Sequence, residues 1–474
     1  MSAGTYHIVN FGCRATLADA AAIERGLRER GLARAEAGCA EVVVINTCTV
    51  TTDADAVARQ AIRAAHRANP AAEIVVTGCY AQRAPEELAQ IEGVSLVVGN
   101  SHQTEIAGWV ARALPAMGPT NLVHIETAQP GGTALPRILA GDIFAQREFP
   151  VGPAVEPVHD TFSAGDRTRP VLKIQDGCNN RCAYCVLPFV RGRSRSLPPA
   201  RVVEAVNQLC AGGAKEIVLS GINLGSYGRD LTPRMEFGNL LRRILDETPL
   251  ERLRLSSVEP MDITEDLVKL VAASGGRIAR HFHVPLQSGS DRVLRAMHRW
   301  YRAAHYTRRI ELIRERIPGA AIGADVIVGF PGETDDDHRA TVEMVERLPF
   351  TYLHVFAFSK RPGTEAARLI AQERVAEVSP PLIKRRSAEL RALAAQKSAA
   401  FRAAQEGQSL RLLTLNRTGS GPEGAWTAAL SDNYLTVRLP GALRRNLWVQ
   451  ARISANNSHL CRVVRSGSKS LNGS

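Results

Sequence analysis

Residues 178–185 read CNNRCAYC. Cysteines at i, i+4 and i+7 put three soft metal ligands in one short loop, and no fourth follows nearby. Three thiolates can hold a cubane iron–sulfur cluster by three of its irons, leaving the fourth iron open to a ligand that is not protein. A closed four-cysteine site carries electrons or holds structure, whereas an open iron can bind and activate a molecule. Structural zinc favours CxxC pairs and four protein ligands, which CxxxCxxC fits poorly.

Three further cysteines share another pattern. HIVNFGC ends at Cys13, EVVVINTC at Cys48 and EIVVTGC at Cys79. Each is a short β-rich run closing on a cysteine, and a fourth run, VSLVVGN, ends at Asn100. Helical patterns follow the first two, so the region reads as a parallel α/β sheet. Parallel strands end on one edge, where open α/β folds bind ligands, so Cys13, Cys48 and Cys79 are expected to converge. Cys39, Cys210 and Cys461 lie apart and read as small buried hydrophobes. Nine cysteines, an odd number, argue against a disulfide framework and for a reducing, cytoplasmic setting. No apolar stretch approaches a membrane span, and no membrane partner is expected.

The elements that must position these residues fall into blocks. Residues 1–116 carry the three cysteine-ended runs. Residues 117–168 are rich in Pro and Gly and read as a linker or excursion. From 169 to 380, candidate strands PVLKIQ, KEIVLS, RLRLSSV, HFHVPLQ, IGADVIVG and LHVFAFS alternate with amphipathic helices. Six such units suggest a partial barrel, open on one side, with its active site at the strands' C-terminal ends. CNNRCAYC follows the first of these strands. A basic helix is expected over 381–406, and short strands over 407–467 suggest a small all-β barrel. The net charge is +12. From residue 407 onward nine Lys/Arg stand against Glu423 and Asp432, an excess of seven in the last 68 residues, which suits a polyanion such as nucleic acid.

CxxxCxYC after the first strand of a partial barrel resembles the radical S-adenosylmethionine (SAM) superfamily. NFGC, INTCTVT and VTGCYAQ, with SGINLGSYG, LSSVEP, HVPLQSGSD, DVIVGFPGET and FSKRPGT, resemble its methylthiotransferases. The last barrel resembles the TRAM domain, an RNA-binding module. The resemblance implies one [4Fe–4S] cluster on Cys178, Cys182 and Cys185, whose open iron takes SAM. It implies a second on Cys13, Cys48 and Cys79, whose open iron carries sulfur. One SAM then supplies the methyl group and another the radical that takes hydrogen from an unactivated C–H bond. Acid–base catalysis would not suffice there, and no catalytic triad is expected. By the same resemblance Tyr184, just before the third cysteine, would lie near the SAM adenine. Ser220, Gly221, Glu259, Gln287 and Ser288 are further candidate SAM contacts, each equally readable as a strand-end residue capping a turn. Arg191, Arg193 and Arg195 in RGRSRS are candidate contacts to RNA phosphate or to the SAM carboxylate, or form a plain solvated loop, and Arg438, Arg444 and Arg445 in the last barrel are candidate RNA contacts. Asn433 and Tyr434 are weaker ones. The family commonly has Asn three residues after its first cysteine. Here Thr16 stands there, which leaves ligation by Cys13 intact but takes away the hydrogen bond an amide at this position would make to the second cluster.

LKIQDGCN and LPFVRGRSRS look most like the MtaB-type branch, which modifies C2 of N6-threonylcarbamoyladenosine next to the anticodon of tRNA. Isopentenyladenosine in tRNA and an aspartate of a ribosomal protein are the alternatives within the family. The basic terminal domain favours RNA. The resemblance also implies a reductant such as flavodoxin or ferredoxin, and a sulfur donor. An iron–sulfur RNA-binding redox sensor without catalysis, or a zinc-stabilised RNA-binding protein, are the alternatives outside the family.

Overall fold

A computed structural model of the protein describes residues 4–113, 137–152, 168–422, 424–454 and 462–463. Most of the Pro/Gly-rich excursion, Cys461 and several charges of the basic tail lie outside the described residues. Among the described residues no helix is long and apolar enough to cross a membrane.

The four N-terminal runs form strands Thr5–Asn10, Val42–Thr47, Glu73–Gly78 and Val94–Gly99, paired in parallel. Val42–Thr47 is apolar on both faces because helices cover both. Val43 and Ile45 pack with Ile62 of helix Thr52–Ala68, and Val42 and Val44 with Ile23 and Leu27 of helix Arg14–Arg28. The register Asn10↔Asn46 and Thr47↔Gly78 brings the residues before all three cysteines to one edge. Two differences from the sequence reading stand out. Arg137–Leu139, inside the excursion, adds an edge strand, because its apolar Ile and Leu pair along Val97 and Val98. A short helix, Cys79–Arg83, also follows the third cysteine before Pro85 starts the next one.

All six strands expected in the central region are present: Val171–Lys173, Glu216–Ser220, Arg252–Leu255, His281–His283, Ala321–Val328 and Tyr352–Ala357. They make two three-stranded parallel sheets, joined by bridges from Leu253 to Ile278 and from Ser257 to His283. One set of alternate residues, such as Leu219, Leu253, Phe282 and Val326, packs in the core beneath the helices. The other set is polar and includes Lys173, Glu216, Arg254, His283 and Asp325. Gly323 sits where a Cβ would collide with the Tyr352 ring, so its missing side chain makes room for that tyrosine. Helix Pro380–Ala403 lays Ile383, Leu390 and Leu393 against Leu353 and Val355, covering the last strand.

Strands Ser409–Gly421, Gly424–Ser431, Thr436–Pro440, Trp448–Arg452 and Arg462–Val463 form an antiparallel sheet around Leu412, Ala429, Val437 and Ala451. This sheet docks on the N-terminal ends of the central strands. Arg252 donates to the carbonyls of Leu430 and Arg411, and Arg254 to those of Ser431 and Asp432. Arg280 pairs with Asp432, and Tyr434 stacks on His281 at 4.2 Å. Asn433 is buried and bonds Gln405 and the Gly319 carbonyl. Asn433 and Tyr434 are thus parts of this junction and do not face RNA.

Glu216 anchors the junction. It is fully buried and pairs with Arg254 at 2.7 Å and with Arg169 and Arg252 at 3.2 Å each. Burial alone would raise its pKa, but the three guanidinium groups, Arg254 foremost, hold it at about 2 against a usual 4.5. Glu216→Gln leaves three buried cations short of their anion, and a loss of about 3–5 kcal/mol is expected from urea unfolding. Because the folded pKa is depressed, the Glu216 contribution is complete above pH 4.5 and fades as pH falls towards 2. Wild-type urea midpoints should therefore fall more steeply across that window than those of Glu216→Gln.

Candidate functional site

The CNNRCAYC loop begins where Asp176 accepts the amide of Gly177 at 2.9 Å. Gly177 has φ 75°, and a Cβ there would strike the Arg193 carbonyl, so the turn needs glycine. Backbone bonds then fix the loop: Cys178 to Gly192 at 3.0 Å, Cys185 to Cys182 at 3.0 Å and Ala183 to Met297 at 3.0 Å. The Asn180 amide lies 3.4 Å from Cys178 Sγ, and Arg299 Nη1 donates to Cys182 Sγ at 3.4 Å. Burial pushes the Cys178 thiol up to about 11, and burial with the neighbouring Cys182 pushes Cys185 higher still. These thiols are poor free thiolates, and a bound cation would deprotonate them.

The second set comes from three strand ends. Gly12, at φ 109°, lies against Cys48, where a Cβ would be 2.7 Å from Cys48 Cβ. Burial first, and then the nearby Cys79, pushes the Cys48 thiol up to about 12. Burial likewise raises Cys79, against the pull of Arg191. Cys13 is exposed, whereas Cys48 and Cys79 are buried. Arg191 Nε donates to Cys79 Sγ at 3.2 Å and Asn100 Nδ2 lies 3.7 Å from the same sulfur. Cys79 packs with Val186, which directly follows Cys185, and with Val190 of the helix after it. The two cysteine sets are therefore neighbours.

Four buried charges join them. Lys173 pairs with Asp19 and, at 2.7 Å, with Asp176. Arg191 reaches Asp19 at 2.8 Å and Asp176 at 3.3 Å. On the far side, buried Asp55 pairs with Arg361 and with Arg83 at 3.0 Å, and the Thr52 amide bonds Ser359 Oγ at 3.0 Å. A third group sits between the strands. His283 Nε2 and His354 Nδ1 each lie 3.1 Å from Asp325 Oδ1, and Ser257 Oγ holds His283 Nδ1 at 2.7 Å. These three donors lie within 4.8 Å of one another.

Several sequence candidates take other roles. Arg191 is 1% exposed and spends its guanidinium on Asp19, Asp176 and Cys79, so it is not open to RNA. Helix Leu187–Arg191 turns it inward. Arg195 donates to the carbonyls of Arg191, Gln146 and Glu148 and pins the 137–152 segment. Ser288 bonds Thr341 Oγ1 and the Ser290 amide, which serves the turn. Glu259 pairs with Arg299. Tyr184 is half-buried beside Phe330 and Ala366. Ser220 accepts the Ile174 amide at 2.9 Å through its carbonyl, and Gly221 lies against Gln175. Gln287 adopts φ 66°, with its amide on the Asp325 carbonyl. Arg193 and Arg444 are exposed, and Arg445 is half-buried. Arg438 lies over the Trp426 ring at 4.4 Å. Arg299, Lys173, Asp19 and Asn100 were missed as site residues. Only Asn100, at the end of the fourth run, carried a positional signal.

Removing one member of the four-charge group leaves an unbalanced buried charge. Arg191→Met should cost about 3–5 kcal/mol in urea unfolding. Adding Asp19→Asn restores neutrality and should recover part of that loss, a coupling that a double-mutant cycle measures.

Residues 172–345 match the radical SAM superfamily, and residues 5–99 match a family described as uncharacterized protein family UPF0004. The threonylcarbamoyladenosine tRNA methylthiotransferase MtaB of Bacillus subtilis is 35% identical, over 91% of this chain and 89% of that one. The protein of the same name from Aquifex aeolicus is 36% identical, over 85% and 88%. A tRNA-2-methylthio-N(6)-dimethylallyladenosine synthase of Paenarthrobacter aurescens is 34% identical, over 88% and 76%. The radical SAM methyltransferase TsrM of Kitasatospora setae shares the fold, with a TM-score of 0.54 and 20% identity over 78% and 76% of the two chains. With two thiol sets side by side and such relatives along nearly its whole length, the chain belongs to the MtaB-type methylthiotransferases of the radical SAM superfamily.

Proposed function

We propose that this enzyme methylthiolates C2 of N6-threonylcarbamoyladenosine next to the anticodon of tRNA. The observation that carries the reading is the contact between the two thiol sets: Cys79 packs on the helix that follows Cys185, and Arg191 of that helix donates to its sulfur. In this reading Cys178, Cys182 and Cys185 hold one [4Fe–4S] cluster and Cys13, Cys48 and Cys79 a second. The donor sets fit iron: three soft sulfurs each, costly as free buried thiolates and stable against a cation. When bound, the clusters and SAM supply a radical hydrogen acceptor, sulfur and a methyl group.

The chain's own residues bind and orient. Arg299 donates to Cys182 Sγ and Arg191 to Cys79 Sγ, and hydrogen bonds to sulfur tune a cluster's potential. Glu259 holds Arg299 in place. Tyr184, Ser220, Gly221, Glu259 and Gln287 lie around the SAM position. Residues 1–116 form the unit of the second cluster and 169–380 the radical SAM unit. Residues 407–467 are a TRAM-type RNA-binding domain, with Arg438, Arg444 and Arg445, and Arg193 from the central region, on phosphate. The charge excess of the last 68 residues supports RNA over a ribosomal protein. Partners are tRNA, a reductant and a sulfur donor. The dimethylallyladenosine branch is the second reading, supported by the 34% identical relative named for that nucleoside.

Nucleoside mass spectrometry of tRNA from cells lacking the protein tests the substrate. Loss of the methylthio group from threonylcarbamoyladenosine is expected; loss from the isopentenyl nucleoside would select the second reading. The anaerobically reconstituted protein should carry about eight irons. Cys182→Ala should abolish reductive SAM cleavage, whereas Cys48→Ala should spare that cleavage and stop sulfur transfer. Persistent cleavage in Cys182→Ala would remove the radical cluster from this loop.

A further inference from the structure

The turn His298–Tyr301 has two opposite ends. Arg299 points to the cluster loop and donates to Cys182 Sγ at 3.4 Å. His298 Nδ1 holds the Arg181 carbonyl of the same loop at 3.2 Å. Trp300, between them and Tyr301, is 76% exposed, the most exposed large hydrophobic side chain among the described residues. It lines a groove with Arg181, Arg295, Arg302, Arg308 and Met261. The four arginines are exposed, and none forms an ion pair or side-chain hydrogen bond among the described residues. The acid of the groove, Asp291, is spent on the Ala303 amide at 2.7 Å.

We propose that Trp300 and these four arginines form a stacking platform for an unpaired nucleotide of the RNA substrate, next to the radical-cluster loop. The proposal rests on the tRNA reading above and adds where and how the RNA is held. An exposed indole alone would be an ordinary surface residue. An indole ringed by unpaired guanidinium groups is complementary to a nucleotide: the base stacks on the ring and the phosphates meet the arginines. Stacking needs an unstacked base, which an anticodon loop offers and a duplex does not. The shared turn sets the distance: a base on Trp300 lies one residue from the side chain that touches the cluster ligand Cys182.

The test uses the cluster-loaded full chain and an anticodon stem–loop RNA. Trp300→Ala should weaken binding about tenfold, and Trp300→Phe, which keeps a stacking face, should stay near wild type. SAM cleavage without RNA should be unchanged in both, because Trp300 is exposed and, among the described residues, no hydrogen bond joins it to a thiol. Arg308→Ala should lower the slope of log Kd against log salt by about one phosphate contact. Equal binding of wild type and Trp300→Ala overturns the platform and leaves the tRNA reading standing. An equal loss of affinity for a fully paired RNA duplex overturns the stacking role. Wild type that does not bind the stem–loop overturns both.

Discussion

Four buried charges hold the two thiol sets in one frame. Lys173 and Arg191 carry two positive charges, Asp19 and Asp176 two negative ones, and all four are buried. Burying ions is costly, and their mutual attraction offsets that cost only when geometry and hydrogen bonding are complete. The group is therefore better understood as a specifier of position than as a source of stability. Its members come from three pieces: the helix after Cys13, the first central strand with its loop, and the helix after Cys185. None of these pieces can bury its own charge alone, so the N-terminal sheet and the central strands have one satisfactory way to meet. The Asp55–Arg83–Arg361 group makes the same demand at the last central strand. Two ties at opposite ends of the strand row fix rotation as well as contact.

The same logic closes the other end of the central strands. Glu216 neutralises one of three arginines there, and Arg252 and Arg254 spend much of their remaining donor capacity on carbonyls of the C-terminal sheet. The terminal sheet is thus joined both through its backbone carbonyls and through the side chains of Asp432, Asn433 and Tyr434. Arg444 remains exposed. Between the two ends the inward row is polar, with His281, His283, Asp325 and Tyr352 in place of the aliphatic layers that fill a closed barrel.

The apolar runs were legible because parallel strands covered on both sides are written in Val, Ile and Leu, and the cysteines because they end such runs. What could not be read was the destination of the polar residues. RLRLSSV alternates as a half-solvated strand does, yet its arginines face inward to Glu216 and the terminal sheet. Alternation separates two faces and is silent on what covers the second. RGRSRS looks like a solvated basic loop, but the one-turn helix before it rotates Arg191 into the interior while Arg193 stays outside. Asp19 is one of two acids in an alanine-rich helix, and its partner Lys173 lies 154 residues away. Nothing local marks such a pair.

Thr16 shows how a departure can be absorbed. Its hydroxyl donates to the Cys13 carbonyl at 2.7 Å, and its own carbonyl accepts from Asn46, so the first cysteine turn is held without an amide side chain at this position. An amide beside the thiols comes from elsewhere. Asn100, at the end of the fourth strand, lies 3.7 Å from Cys79 Sγ and donates to the Val190 carbonyl at 2.7 Å. Val190 belongs to the helix that follows Cys185, so this one amide spans from the second thiol set to the segment carrying the first. Asn100 thereby repeats, with neutral groups, what Arg191 does with charge. Two independent donors on one sulfur, both tied to the same helix, make the position of Cys79 depend on the fold of the central region. The hydrogen bonding around the second thiol set is complete only when the two regions are docked.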